Sequence, residues 1–178
     1  MEENLAHAMA SLTTGIYVLT VRENSRCHGM SSSWVTQVSG EPPLFTAAVD
    51  NNHFSNGPIS RTGVFGLNIV GRSGRSLEDY FYSARARRED NLEEFDYQLS
   101  PTLQVPWLAL AMISIEARVV DRFVAGDHTI FAASPVGVRI ADRESDRPGR
   151  ERPLTSLELD YAYVGGKQVI ARDRTGWD

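Results

Sequence analysis

The sequence predicts a mainly β domain, an antiparallel barrel or sandwich with short peripheral helices. Roughly six to eight segments rich in β-branched and aromatic residues recur along the chain, separated by Gly, Pro, Asn and Asp turn signals. Apolar residues at helical spacing are confined to two or three short stretches. No repeat and no internal boundary interrupts residues 1–178, so a single domain is expected.

The elements follow in order. Leu5, Ala8, Met9 and Leu12 fall on one helical face and predict an amphipathic helix over residues 2–13. TGIYVLTVR (14–22) is a strand, and polar ENSR (23–26) turns the chain into a second strand through HGMSSSWVTQV. LFTAAVD (44–50) makes a third. Residues 51–63 read as a loop with at most a short helix, Pro58 suiting a first helical position and Gly63 a stop. VFGLNIV (64–70) is a fourth strand. Ser76 is placed to cap a helix over LEDYFYSA (77–84), with Leu77, Tyr80, Phe81 and Ala84 on its apolar face. In LALAMISIEARVV (108–120), Ile113, Ile115, Ala117 and Val119 alternate onto one face. GDHTIFAASPVGVRI (126–140) is the next strand, and Pro135 inside it predicts an edge or a bulge. Charged ADRESDRPGRERP (141–153) reads as a solvated excursion, and Gly165-Gly166 as a hairpin between two last strands.

Composition excludes several functions. A net charge of −5 without a basic stripe argues against nucleic acid. No apolar run reaches the roughly 20 residues of a membrane span, and MEENLAHAMA is not a signal peptide, so a cytoplasmic location is expected. The lone Cys27 permits neither an internal disulfide nor a cysteine zinc site; a small buried cysteine and a nucleophile paired with a distant histidine both fit it. His7, His28, His53 and His128 are scattered, with no metal-binding helix motif, and no phosphate loop, dinucleotide fingerprint or nucleophile elbow is present.

HGMSSSWVTQVSGEPPL (28–44) is unusual for a buried strand. Val35 and Val38 look like core, but serine is a poor strand former and a central strand has no place for Pro42-Pro43. One reading is a solvent-facing strand with Trp34 as plain core. The other is a binding surface, because small residues let backbone groups approach a ligand and hydroxyls add donors.

The order TGIYVLT, HGMSSSWVTQVSGEPPLFTAAVD, SRTGVFGLNIV, LEDYF, GDHTIF resembles the flavin reductase family over most of residues 10–165. The resemblance implies an FMN-binding split barrel of antiparallel, Greek-key-like strands, a homodimer, and reduction of flavin by NADH or NADPH. It implies that Met30, Ser31, Ser32, Ser33 and Trp34 line the flavin ring, with Pro42-Pro43 fixing the strand's entry. The segment DNNHFSNG, with Asp50, Asn51, Asn52, His53 and Ser55, would hold ribityl and phosphate. The family often has a basic residue where this chain has Asn51, so Arg85, Arg87 or Arg88 would have to supply the cation; a solvated charge run is the alternative. His128 of Gly-Asp-His would position the nicotinamide, or be a structural histidine. The family's continuation into Gly-Glu-Val is here Ala133-Ser134-Pro135-Val136.

Three functions fit: an NAD(P)H-dependent reductase passing electrons to free flavin, a partner monooxygenase or iron; an FMN-bearing electron-transfer module without a nicotinamide site; and a split barrel that binds another ligand.

Overall fold

In the computed structural model, residues 2–83, 86–88, 90–141, 151–165 and 168–171 are described. The first apolar run folds into a hairpin, β1 (Tyr17–Glu23) against β2 (Arg26–Ser32), with Asn24 at a left-handed φ of 57° in its two-residue turn. β1 is buried on both faces: Val18 and Leu19 point opposite ways and are each 0% exposed, which is why the segment reads as a near-continuous apolar run.

The serine run does not continue as one strand. β2 stops at Ser32 and β3 (Val35–Gly40) begins after Ser33 and Trp34, turning at a cis Glu41–Pro42 bond into β4 (Pro43–Asp50). Pro43, as the first residue of β4, pairs with Gly40. After α2 (Asn56–Thr62) come β5 (Val64–Ile69), α3 (Arg75–Phe81), the short pair β6 (Tyr97–Leu99) and β7 (Pro106–Leu108), and the long strands β8 (Ile113–Ala125) and β9 (His128–Ile140). All pairings are antiparallel, and the sheet order is β2-β1-β5-β8-β9-β4-β3. β2 and β3, adjacent in sequence, therefore lie at opposite edges of the curled sheet. Ser33-Trp34 is the crossing between those edges. Its backbone need not sit in a ladder, so small polar residues cost nothing in strand pairing there.

The barrel interior gathers Leu19, Phe45, Ala47, Val49, Phe65, Leu67 and Phe131. A second cluster, on the other face of β1, packs Val18, Val70, Leu77, Phe81, Leu92 and Leu108 beneath α3. β10 (Tyr161–Gly165) pairs with β11 (Gln168–Ala171), and Ala162 and Val164 pack on Ala6 and Ala10 of α1 (Glu3–Ala10).

Several expectations need correction. In α1 the small Ala6 and Ala10 are buried, while Leu5, Met9 and Leu12 are 52%, 43% and 60% exposed, because the neighbouring β10 admits only small side chains. Val38 is 53% exposed, since β3 is an edge; Val35 does pack against the interior. Ser76 is the second residue of α3 and not its cap, because the backbone enters from a 3₁₀ turn, Arg72–Gly74, with Gly74 at the cap position. Pro58 is the third residue of α2, while Gly63 ends that helix at φ 69° as expected. Pro135 sits at a register shift between Glu116 and Ala117, the bulge its presence predicts. Ala84, Arg85 and Gly166 lie outside the described residues, as does most of 141–153. No helix among the described residues is long and apolar enough to cross a membrane.

Candidate functional site

A cavity of about 470 Å³ opens where the barrel splits. The end of β2 supplies Met30, Ser31 and Ser32, the crossing to β3 supplies Ser33 and Trp34, β4 supplies Asp50, and β9 supplies His128. Pairing fixes this convergence: Asp50 is the register partner of His128, and Ala48 N–H donates to Trp34 O at 3.0 Å, tying the crossing to β4. The tip of the β8–β9 hairpin, with Gly126 at φ 63°, is held to the loop after β4. There Asn51 N–H donates to Asp127 O at 2.9 Å, and Thr129 Oγ1 to Asn51 Oδ1 at 2.7 Å.

Opposite lies a wall that the sequence did not announce. α1 brings Met9 and Ala10, the chain just past it Leu12, and β10 Tyr161 and Tyr163. The Trp34 ring lies 4.6 Å from the His128 ring and 5.5 Å from that of Tyr163. Tyr82 stacks on Tyr161 at 4.6 Å and 24°. From α3, Glu78 reaches the cavity although it lies off the helix face predicted to be apolar; it is 3% exposed. Ser31 Oγ donates to Glu78 Oε2, and Tyr161 OH to Oε1 at 2.9 Å. Burial raises the Glu78 pKa, the two hydroxyl donors opposing it.

His128 Nδ1 stands 2.7 Å from Asp127 Oδ1, and that contact holds the Asp127 carboxyl below its ordinary value. With Nδ1 engaged, Nε2 is the nitrogen left for a ligand. His53 also lines the cavity, its Nδ1 accepting Ser55 N–H at 3.1 Å. Burial lowers its pKa, partly offset by Asp50.

Four predicted residues are not part of the lining. Asn51 and Asn52 are exposed in the loop beside it, Asn51 engaged with Thr129 and Asn52 N–H bonded to Asp50 Oδ1 at 2.8 Å. Ser55 is 0% exposed, and its Oγ has no hydrogen-bond partner among the described residues; it faces the packed base of α2, away from solvent. Arg88 pairs with Glu94 at 2.9 Å and reaches Tyr80 OH at 3.4 Å, as expected of a residue in a solvated charge run. Neither Arg nor Lys is among the described residues that line the cavity. Those residues also hold no cluster of His, Cys, Asp and Glu fit for a metal.

The flavin reductase like domain model matches residues 9–164. The chain belongs to the flavin reductase like domain family. An NADH-dependent flavin reductase of a Rhodococcus species is 27% identical over 130 residues, 71% of this chain and 70% of that protein. Among solved structures, the NADH:FAD oxidoreductase of Streptomyces globisporus superposes with a TM-score of 0.73 at 21% identity, covering 85% of this chain and 86% of that one. The flavin reductase component of a bacterial two-component tryptophan halogenase gives 0.71 at 23%, covering 85% and 96%. The family's split barrel is thus the fold of this chain.

The residues present fit a flavin. The volume lies in the range of cofactor sites, roughly 300–1,000 Å³. One side offers apolar and aromatic faces, the other small hydroxyl residues and exposed backbone of the crossing, which suits a flat heteroaromatic ring with a hydrogen-bonding edge.

Proposed function

We propose that this flavin reductase family member binds FMN in the split of its barrel and reduces it with NADH or NADPH. The observation that carries the reading is the meeting of the Met30–Trp34 segment with His128 in one cavity. The flavin, when bound, supplies the redox chemistry; the protein holds it and orients the donor. The hydroxyls of Ser31, Ser32 and Ser33 and the backbone beside them would hold the polar edge of the ring, and Trp34 and Met30 its faces. His128, fixed by Asp127, positions the nicotinamide. The phosphate is assigned to the exposed turn at Asn51–His53. Neutral donors of that turn would meet the phosphate, since neither Arg nor Lys is among the described residues that line the cavity. Electrons then pass to free flavin or to a partner oxygenase, in keeping with the halogenase component this fold resembles.

A homodimer belongs to the proposal. Val136, Val138 and Ile140 alternate onto one face of β9 and are 41%, 56% and 68% exposed, an apolar stripe that a second copy would cover. Light scattering of a monomer at working concentration, still binding FMN, would count against it.

The alternative, an electron-transfer module without a nicotinamide site, rested on the altered residues after His128. Ala133, Ser134, Pro135 and Val136 are not among the cavity's lining, so their change leaves the site's walls as they are. Titration with FMN, FAD and riboflavin should saturate at micromolar or lower FMN, about −8 kcal/mol. NADH or NADPH should then bleach the bound flavin without oxygen. Saturation without bleaching would favour the electron-transfer module, and no saturation at millimolar FMN would remove both readings.

A further inference from the structure

Glu78 joins two walls of the cavity. It stands on α3, is 3% exposed, and takes hydrogen bonds from Ser31 of β2 and from Tyr161 of β10. All three residues line the cavity. An ionised carboxylate only accepts, and a hydroxyl has one proton to give. While Glu78 is ionised, the protons of Ser31 and Tyr161 both point at it. Each oxygen then presents only lone pairs elsewhere.

We propose that Glu78 is a positioning residue that makes Ser31 an acceptor toward the cavity, so that the site selects a ligand edge carrying an N–H. The inference rests on the flavin reading, where that edge is the pyrimidine N3–H of the ring. It also changes what the serine run does: Ser31 accepts, and donors for the ring carbonyls come from the neighbouring backbone and hydroxyls.

Protonation of Glu78 would turn one of its oxygens into a donor and release a hydroxyl proton to the cavity. The charged and titratable groups acting on Glu78 are Asp79 and Arg75 of its own helix, Tyr82 just past it, and Tyr161 across the cavity. Arg75 is shared with Asp79 and with Asp160 at 3.6 Å, so it neutralises Glu78 incompletely. Burial is the largest influence and places this switch above the ordinary carboxylate range. Asp50, His53 and His128 also line the cavity, but they weigh on two flavins alike, and a ratio of affinities cancels them.

The test is fluorescence titration of the flavin-free full chain with FMN and with FMN methylated at N3. At pH 8 the unmethylated flavin should bind about 10- to 100-fold tighter, the loss expected when a buried acceptor is left unpaired. Glu78→Gln should bring the ratio to within about threefold, since its amide donates to one hydroxyl and frees that proton. In the wild type the ratio should fall as the pH is lowered toward 5, and in E78Q it should stay flat. A Glu78 that merely braces α3 would weaken both flavins equally; because the Gln amide can turn its oxygen to Ser31 and its nitrogen to Tyr161, a ratio retained in both E78Q and Ser31→Ala overturns the proposal. If E78Q does not fold, Ser31→Ala decides: it should lose the discrimination, and keeping it overturns the proposal. Equal binding of both flavins by the wild type defeats this proposal alone, whereas absence of any flavin binding defeats the flavin reading and this one with it.

Discussion

Glu78 and Glu116 are both buried glutamates, 3% and 0% exposed, yet they sit in regions of opposite design. Glu116 lies on the side of the barrel closed by the 100–108 segment. Its Oε2 accepts the backbone N–H of Leu103 at 2.6 Å and of Thr102 at 3.2 Å. Burial alone would raise its pKa, but the Ser100 hydroxyl first, then the Leu103 amide and the hydroxyl and amide of Thr102, outweigh it and the pKa falls. Nearby, Asn68 bonds Val18, Thr20, Ser114 and Leu108 in a satisfied buried network. Glu78 faces a cavity, has two hydroxyls and no backbone amide as hydrogen-bond partners among the described residues, and its pKa rises. Backbone amides are fixed dipoles that favour the charge; hydroxyls rotate and serve either protonation state. The closed side is built to hold one state, the open side to adapt to a ligand.

The largest effect should come from the barrel interior shared by both regions. Phe131→Ala, at a 0% exposed position, should cost about 3–5 kcal/mol in urea unfolding. A smaller loss would mean that the interior collapses around the void.

Glu116→Gln should cost about 1.5–3 kcal/mol at pH 7, the range for hydrogen bonds to a charged group. A lowered folded pKa means stability present above the unfolded value of about 4.3 and lost as the pH falls through the folded one. The cost of the variant should therefore shrink in acid. A cost independent of pH would end the contrast with Glu78.

His128→Ala probes the open side. FMN binding should stay within about threefold, while reduction by NADH slows about 10- to 100-fold, or 1.4–2.8 kcal/mol. Loss of flavin instead would make the histidine structural.

Glu78→Gln should have the smallest effect on stability and the opposite sign of pH dependence. With a raised folded pKa, the favourable contribution is present below about pH 4.3 and lost as the pH rises through the folded value. E78Q should therefore gain relative to the wild type toward pH 8, where it should be no more than about 1 kcal/mol less stable. Parallel pH curves for E78Q and E116Q would erase the distinction between the two regions.

The sequence by itself determined the antiparallel β class, most strand positions, the stop at Gly63, the bulge at Pro135 and the family, because alternation, turn residues and motif order are local properties. It also marked Met30–Trp34, Asp50, His53 and His128, which the cavity gathers. Only the tertiary structure decided that the serine run ends one edge strand and crosses at Ser33-Trp34 to the opposite edge, since edge status depends on where distant strands pair. It alone buried Ser114 and Glu116, on the strand face that alternation assigns to solvent, by laying residues 100–108 over them. It turned Ser55 inward, left Arg88 on a surface glutamate, and brought Glu78 against Ser31 and Tyr161, 47 and 83 residues away in the chain. No periodicity encodes such a meeting: it follows from how α3 packs on β2 and how β10 returns over the split, which are long-range contacts with no local signature.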